Sequence, residues 1–275
     1  MLANTLCHIP RVSLNKERML WDQGVKTWDC YRAIGKSAAY LDECELQLEQ
    51  RNPMFFADGL KSEQHWRLFG DFQDSVAYVD IETTGLDRDE CEITTIALYN
   101  GSEVRTYVNG RNLSAFTREI QQYKLLVTFN GKCFDVPFIN RYFGIELAHA
   151  HIDLRFVLKR LGYSGGLKQI ERQLGIDRGE LRDVDGFFAV TLWHEYKKRK
   201  NEAALETLLA YNCADVINLE RLMVHAYNQN IMATPFATER QLKMPIPMKL
   251  PFAADPKLLK RASTTPSATL SGIVG

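Results

Sequence analysis

The sequence lacks an excess of charge of either sign, because 34 lysine and arginine residues balance 34 aspartate and glutamate residues. No basic field therefore covers the whole molecule, and contact with a polyanion would depend on a local basic patch or on bound metal ions. The sequence also has no apolar run of about 18 residues, the length that a membrane-spanning helix requires. We therefore expect neither a membrane span nor a signal peptide.

The six cysteines do not form a Cys-x-x-Cys pair. This absence argues against a zinc site of that type and against a disulfide framework, so we expect reduced thiols in a cytoplasmic protein. Internal repeats and low-complexity blocks are absent as well. What remains is an ordinary composition, 45% hydrophobic and 25% charged, spread over 275 residues. Such a chain can build one large domain or two small ones.

The sequence divides into three predicted regions. Residues 1–70 contain short helical patterns, and residues 71–230 combine strand and helix patterns with several acidic motifs. Residues 231–275 end in the Ser/Thr/Ala-rich stretch RASTTPSATLSGIVG. Its low apolar content predicts an extended third region with a disordered tail. A tail of this kind could bind a protein partner.

The middle region begins with three strand patterns, Val76–Glu82, Glu92–Tyr99 and Glu103–Val108. Three strands in succession indicate an antiparallel meander. Leu125–Phe129 is a short continuous apolar run, which is typical of a buried strand parallel to its neighbour. Further helical patterns follow, the last of them over Ala203–Tyr227. Strands followed by helices predict an α/β or α+β domain with a mixed sheet.

Two acidic residues lie at the end of the first predicted strand. Side chains two apart on a strand share a face, with about 6.6 Å between their Cα atoms, so Asp80 and Glu82 point the same way. Two carboxylates in this position can hold one divalent ion, or one of them can bridge two ions. A solvated strand end is the alternative, and it would be preferred if this motif stood alone.

A third acidic residue, Asp135, follows the predicted buried strand and a turn. Asn130 could fix that turn through hydrogen bonds to the backbone. Phe134 could either present its aromatic face to a ligand or pack in the hydrophobic core. Taken alone, Asp135 is best interpreted as the N-cap of the next helix. A capping aspartate can still present one oxygen to a metal-bound water, so both interpretations stay open.

Tyr211 and Asp215 are four residues apart on a helical pattern and therefore share a face. An ordinary amphipathic helix is the alternative interpretation, with Asp215 facing solvent. Its apolar neighbours place Asp215 on nearly the same stripe as the core residues, however, and a carboxylate there is costly without a cationic partner.

Two short stretches could approach a phosphate. Thr83, Thr84 and Gly85 are predicted to form a tight turn directly after the first strand, where the backbone could come close to a ligand. A Gly-Gly pair precedes Lys168, which could place backbone amides and a cation beside a phosphate. A plain loop with the lysine in solvent explains the second stretch equally well.

In combination, the stretches D-I-E-T-T-G-L, N-G-x-x-F-D-x-P and Y-N-x-x-D resemble the three exonuclease motifs of the ribonuclease-H-like 3′–5′ exonuclease superfamily. The proofreading domains of family B DNA polymerases share these motifs. The segment from about Trp66 to Tyr227 more closely resembles the YprB-type predicted exonucleases of prokaryotes. Tyr211 corresponds to the DEDDy type, which has tyrosine before the last aspartate. The resemblance implies a ribonuclease-H-like mixed five-stranded sheet flanked by helices, with a small helical N-terminal region.

The resemblance also implies a role for each motif residue. Asp80 would bridge two Mg²⁺ or Mn²⁺ ions, Glu82 and Asp215 would complete the site of one ion, and Asp135 would hold the other through water. Tyr211 would orient the attacking water. Two such ions activate water, clamp the scissile phosphate and stabilise the leaving 3′-oxygen. Hard oxygen ligands suit Mg²⁺ or Mn²⁺.

The implied activity is a 3′–5′ exonuclease that acts on single-stranded or frayed 3′ ends, with DNA favoured over RNA and a role in DNA repair. Its products would be nucleoside 5′-monophosphates. The substrate contacts would come from Thr83, Thr84, Gly85, Asn130, Phe134 and Lys168. A structure-specific endonuclease of the same fold and a non-catalytic nucleic-acid-binding protein remain the alternatives.

The N-terminal stretch IPRVSLNKERMLWDQGVKTW resembles a helix-hairpin-helix element, which grips the DNA backbone through a glycine-rich hairpin. Arg11, Val12 and Ser13 stand where glycines are expected. Side chains at these positions oppose a close approach of the backbone to phosphate. We therefore interpret the stretch first as a remnant that packs against the rest of the chain, with a weak nucleic-acid contact as the alternative.

Overall fold

A five-stranded mixed sheet forms the centre of the computed structural model, which describes residues 1–35 and 37–264. The strands are β1 (Val76–Thr83), β2 (Ile93–Tyr99), β3 (Val104–Val108), β4 (Leu125–Thr128) and β5 (Ala150–Asp153), in the spatial order β3-β2-β1-β4-β5. β1, β2 and β3 form the antiparallel meander, and β4 and β5 run parallel to β1. The predicted mixed sheet is confirmed, with each predicted strand end within one residue of the observed one.

Helices cover both faces of this sheet. The helices in the described part of the chain are α1 (Leu14–Asp22), α2 (Trp28–Ala33), α3 (Ala38–Glu49), α4 (Pro53–Gly59), α5 (Trp66–Phe72), α6 (Phe116–Glu119), α7 (Asp135–Phe143), α8 (Leu154–Arg160), α9 (Leu167–Gln173), α10 (Gly186–Arg199), α11 (Glu202–Met232), α12 (Ala237–Arg240) and α13 (Pro256–Thr264). α11 packs across β1 and β2. Within residues 1–35 and 37–264, none of the helices has both the length and the apolar composition that crossing a membrane requires.

Side chains of β1 alternate between two cores. Val79 and Ile81 pack with residues of α6 and α7 on one face of the sheet, whereas Tyr78 joins the core beneath α11 on the other. This confirms the predicted alternation. Because alternate residues of a strand share a face, Asp80 and Glu82 lie on the side that α11 covers.

A buried ion pair joins α1 to α5, the helix that leads into β1. Arg67 on α5 donates Nη2 to Glu17 Oε2 at 2.7 Å, and the two side chains are 4% and 1% exposed. Glu17 Oε1 also accepts hydrogen bonds from the main-chain N–H groups of Leu6 (2.6 Å) and Cys7 (3.0 Å). Arg11 adopts a φ of 68°, the left-handed conformation that glycine usually supplies. The division at residues 70 and 230 stays a prediction.

The third predicted region is not extended throughout. α11 continues to Met232, and α12 and α13 follow it. α13 forms a helix because Leu258 and Leu259 pack against the core of α10 and α11, so an apolar face is covered. The predicted disordered tail, with its suggested protein partner, falls mainly on residues 265–275, which lie outside the described residues.

Acidification is expected to destabilise this fold through His151 on β5. Burial lowers the pKa of His151 to about 3, with a further contribution from the nearby Lys132, whereas the unfolded chain has a histidine pKa of about 6.5. The unfolded state therefore binds more protons below pH 6.5, and His151 alone should lower the free energy of unfolding by about 2 kcal/mol between pH 7 and pH 5. Urea denaturation at the two pH values measures this loss.

The matched variants are His151→Gln and His194→Gln. The first should show a weaker dependence of stability on pH, because the buried imidazole is gone. The second removes an exposed histidine and should behave like the unmodified protein. Equal pH dependence in all three proteins would contradict the assignment to His151.

Candidate active site

Three carboxylates from β1 and α11 meet at the end of the first strand. One side-chain oxygen from each of Asp80, Glu82 and Asp215 lies within 4.8 Å of the other two. Glu82 and Asp215 are buried, with 8% and 3% exposure, and Asp80 is partly buried. The alternation of β1 directs the first two side chains toward α11, and the position of Asp215 on that helix supplies the third.

Burial dominates the electrostatics of this acidic cluster. It raises the pKa of Asp80 and of Glu82 well above their ordinary values, and the charge of Asp215 raises both further. Asn212 offsets part of the cost at Asp80, because its Nδ2 donates to Asp80 Oδ2 at 2.7 Å. Thr95 in turn donates its hydroxyl to Asn212 Oδ1 at 3.0 Å, which fixes the amide. Grouped carboxylates remain costly without a cation.

The donor set fits a small divalent cation. Oxygens bound to one Mg²⁺ at about 2.1 Å lie at most about 4.2 Å apart. Three oxygens on one octahedral ion include at most one opposite pair, and adjacent oxygens lie about 3 Å apart. The oxygens of the acidic cluster, which lie within 4.8 Å of one another, would therefore close by up to about 2 Å around such an ion. The three carboxylates could thus hold a divalent metal ion.

Asp135, the first residue of α7, contacts the backbone of β1. Its Oδ1 accepts a hydrogen bond of 3.2 Å from the main-chain N–H of Ile81, the residue between Asp80 and Glu82. Burial raises the pKa of Asp135 to about 7. The N-cap interpretation of Asp135 is wrong, because α7 begins at Asp135 and Phe134 holds the N-cap position. The fourth carboxylate therefore lies beside β1 but is not one of the three whose oxygens lie within 4.8 Å of one another.

Tyr211 lies one helical turn before Asp215 on α11 and is buried. Its ring is flanked by two cations, with Lys168 Nζ 4.6 Å and Arg178 Cζ 5.8 Å from the ring centroid. Burial raises the pKa of Tyr211 well above its ordinary value, and the charges of Asp215 and Glu82 add to this. The phenol is therefore protonated at neutral pH and available as a hydrogen-bond donor.

Arg178 and Glu171 are the residues that sequence reasoning missed. Arg178 donates Nη2 to Asp215 Oδ1 and also to Glu171 Oε1, the latter at 2.9 Å, and it donates Nε to Glu171 Oε2. Their side chains are 4% and 1% exposed. Asn218 adds a third donor to Glu171 at 2.9 Å. Glu171 follows Ile170 on the buried part of α9. A carboxylate among buried apolar residues is the signal that drew attention to Asp215 and could have identified Glu171.

The predicted substrate contacts near β1 form hydrogen bonds within the loop that follows this strand. Thr83 donates its hydroxyl to the carbonyl of Gly85 at 2.6 Å, and Thr84 Oγ1 accepts from the N–H of Glu92 at 2.9 Å. A Cβ at Gly85 would lie 2.7 Å from the sulfur of Cys91. The close approach at Gly85 is therefore made by Cys91 within the fold.

The other predicted contacts lie on the neighbouring loop and helix. Asn130 has a φ of 65°, and its side-chain oxygen accepts from Arg155 Nη1 at 2.5 Å. Phe134 packs on Phe138 with ring centroids 5.6 Å apart, so it serves the core on the α7 side. Among the predicted substrate contacts, Lys168 differs from Asn130 and Phe134 because its amine lies beside Tyr211.

A family model described as RNase_H superfamily matches residues 77–227, which include the acidic cluster and the five strands except for Val76, the first residue of β1. The chain belongs to the RNase_H superfamily, and its central domain has the ribonuclease-H-like fold.

Several solved structures are similar at low sequence identity. Brucella melitensis NrnC bound to pGG is 18% identical, with 62% of this chain and 79% of that chain covered and a TM-score of 0.41. The same protein with bound Mg²⁺ is 19% identical, with 59% and 76% covered and a TM-score of 0.40. A family B DNA polymerase from the hyperthermophilic archaeon Pyrobaculum calidifontis is 13% identical, with 57% and 29% covered and a TM-score of 0.38. No curated protein matches the sequence.

Proposed function

We propose that this protein is a metal-dependent 3′–5′ exonuclease that releases nucleoside 5′-monophosphates from single-stranded or frayed 3′ ends. The observation that carries the proposal is the acidic cluster of Asp80, Glu82 and Asp215, whose oxygens lie within 4.8 Å of one another. Superfamily membership supports it, and so does the resemblance of the motifs to the DEDDy exonucleases. By that resemblance alone, DNA is proposed over RNA.

The acidic cluster would hold one divalent cation, and Asp80 together with Asp135 would hold a second. Such ions supply activation of water and neutralisation of charge on the phosphate. Asn212 keeps Asp80 in place through the hydrogen bond to Oδ2. Tyr211 offers a protonated hydroxyl close to Asp215 and would orient the attacking water by hydrogen bonding. Lys168 would contribute positive charge on the side of the tyrosine ring.

A cavity of about 540 Å³ that begins at the residues after β4 is the proposed path of the strand. It is lined by Phe129, Asn130, Arg155, Lys159, Tyr163, Ser164, Gly165, Gly166 and Ile170. β4 pairs with β1 in parallel, with Val127 opposite Tyr78, so the residues after β4 come level with Asp80. Cationic and aromatic side chains in one groove are the combination that binds single-stranded nucleic acid.

End-labelled single-stranded DNA and RNA with Mn²⁺ test the proposal. We expect a ladder of 5′-labelled fragments shortened from the 3′ end, the release of 5′-mononucleotides, and no product from a circular strand. Fragments from the circular strand would instead indicate an endonuclease. If neither linear substrate yields mononucleotides, the exonuclease proposal is wrong.

Replacing Tyr211 by phenylalanine is expected to lower kcat by roughly 10²-fold, because the water would lose an orienting hydrogen bond. Mn²⁺ affinity, measured by calorimetry, should stay the same, since the carboxylates are intact. Tyr227→Phe is the matched control, because Tyr227 lies on the same helix but packs against Trp66 in the N-terminal core. Turnover equal to that of the control would remove Tyr211 from the mechanism.

A further inference from the structure

A second, smaller cavity lies beside the acidic cluster, with a volume of about 150 Å³. We call it the basic cavity, because four of its lining residues are cationic. The lining consists of Lys168, Arg172, Arg178 and Arg182 together with Glu171, Ile176 and Asp177. Arg178 connects the basic cavity to the acidic cluster, since the same guanidinium group hydrogen-bonds Asp215.

Two buried donors of the basic cavity have no acceptor. Lys168 Nζ and Arg178 Nη1 are both inaccessible to solvent, and neither has a hydrogen-bond partner among the described residues. Buried cationic donors are costly when they are left unpaired. In folded proteins such groups usually mark a functional site or a bound ion or water. Lys168 Nζ lies over the Tyr211 ring and neither atom is exposed to the cavity, so the two groups favour an anion there through their positive charge.

The acidic residues of the basic cavity do not neutralise it. Both oxygens of Glu171 are already engaged by Arg178, and Asp177 is an exposed residue whose Oδ1 accepts from the N–H of Gly179. Arg172 and Arg182 donate their Nε groups to main-chain carbonyls, and neither forms an ion pair within the described part of the chain. The lining carries four positive charges against two negative ones, and with Asp215 on Arg178 counted as a third negative charge the basic cavity stays net positive by one.

The size and the donor type of the basic cavity identify the anion. Pockets that hold whole small-molecule ligands have volumes of about 300–1,000 Å³, so a cavity of about 150 Å³ accepts one group of a ligand and leaves the remainder outside. Guanidinium groups present paired N–H donors that match phosphate oxygens. A terminal phosphate carries close to two negative charges and is joined to the rest of the nucleotide by a single ester bond. It therefore suits a small cavity with several cations.

We propose that the basic cavity binds the terminal phosphate of a nucleoside 5′-monophosphate, the product of the proposed reaction. The proposal rests on the proposed function for the source of this phosphate, and on the structure of the cavity for its chemistry. Arg178 lies between the acidic cluster and the basic cavity, so the released phosphate would need to move only a short distance. The bound product would then compete with the next turnover.

Calorimetry on the full chain in metal-depleted buffer tests the basic cavity, with four probes: 5′-dAMP, inorganic phosphate, deoxyadenosine and the dinucleoside monophosphate dTpdA. We expect 5′-dAMP and inorganic phosphate to bind at least about 10-fold more tightly than the other two. Binding of inorganic phosphate without 5′-dAMP would overturn the assignment to a nucleotide. Preference for dTpdA would overturn the assignment to a terminal phosphate, because dTpdA carries only a phosphodiester.

The variant Arg172→Gln/Arg182→Gln removes two exposed cations of the basic cavity and leaves the acidic cluster intact. It should bind 5′-dAMP about 10-fold or more weakly than the unmodified protein, and 5′-dAMP should inhibit its hydrolysis correspondingly less. The matched control Arg18→Gln/Arg118→Gln removes two exposed arginines elsewhere. If both double variants bind 5′-dAMP equally well, the proposed phosphate site is wrong.

The two proposals can fail separately. Binding is measured without metal and without hydrolysis, so 5′-dAMP can bind to the basic cavity even if the protein releases no mononucleotides. In that event the exonuclease proposal fails and the phosphate site stands. Hydrolysis with no effect of the cavity substitutions on 5′-dAMP binding or inhibition would leave the exonuclease proposal in place and overturn the phosphate site.

Discussion

Replacing Asp80 by asparagine is expected to reduce hydrolysis by about 10³-fold or more while leaving the metal-free protein as stable as before or more stable. Asp80 is the carboxylate proposed to contact both cations, and a loss of about 4 kcal/mol of transition-state stabilisation corresponds to roughly 10³-fold in rate. The stability effect has the opposite sign. Asp80 is partly buried beside Glu82 and Asp215, and neutralising it removes like-charge repulsion.

The hydrogen bond to Asn212 should survive this substitution, because an asparagine oxygen can accept in place of Asp80 Oδ2. Thermal unfolding with and without Mn²⁺, together with the end-label assay, measures both effects. Mn²⁺ should raise the Tm of the unmodified protein and have little effect on the Asp80→Asn variant. Asp58→Asn, at an exposed position on α4, is the control and should keep activity and metal response. A variant that retains full activity would refute the metal role of Asp80.

Replacing Arg178 by glutamine is expected to lower the free energy of unfolding of the metal-free protein by about 3–5 kcal/mol. Arg178 is hydrogen-bonded to both Glu171 and Asp215, and all three side chains are 5% exposed or less. Without the guanidinium group, two carboxylates stay buried with no cation, which is the costly case for a buried ion pair. Urea denaturation in metal-depleted buffer measures the loss.

Two further measurements separate this charge effect from simple loss of packing. A second substitution, Glu171→Gln in the Arg178→Gln background, should restore part of the stability, because one of the unpaired charges is removed. Mn²⁺ should also stabilise Arg178→Gln more than the unmodified protein, since Asp215 has lost its internal cation. Arg141→Gln is the matched control. Its ion pair with Asp89 is 66% and 72% exposed, and it should cost less than about 1 kcal/mol. A loss at Arg178 no larger than this would contradict the prediction.

Much of the acidic cluster was accessible from local patterns. Asp80 and Glu82 are two apart on a strand, and Asp215 interrupts an apolar helical stripe, so each was a candidate from its neighbours, and the three motifs in combination indicated one site. Asp135 was recognised as a candidate metal ligand, which stays a prediction, whereas the N-cap interpretation of the motif taken alone is wrong. A cap depends on residues next to it in the chain, whereas the observed partner is the N–H of Ile81, 54 residues earlier.

The basic side of the site was largely hidden from the sequence. Lys168 was named because glycines precede it, but nothing local indicated that its amine lies 4.6 Å from the centroid of the Tyr211 ring. Arg178 lies in a loop among other charged residues, where a solvent-exposed arginine is the ordinary expectation. α13 was missed because residues 231–275 were interpreted from their Ser/Thr/Ala-rich end, and the packing of Leu258 and Leu259 on α10 and α11 is a long-range contact.

The sequence by itself determined β1 to β4 and the alternation of β1, because hydrophobic periodicity acts over a few neighbouring residues, and its motifs named the four candidate carboxylates. The tertiary structure alone decided which side chains touch. It brought α11 across β1, paired Asp215 with Arg178 over 37 positions of the chain, and enclosed the cations of the basic cavity. Contacts of this kind depend on how distant elements pack, and burial then sets the charge state and the cost of every ionisable group that they bring together.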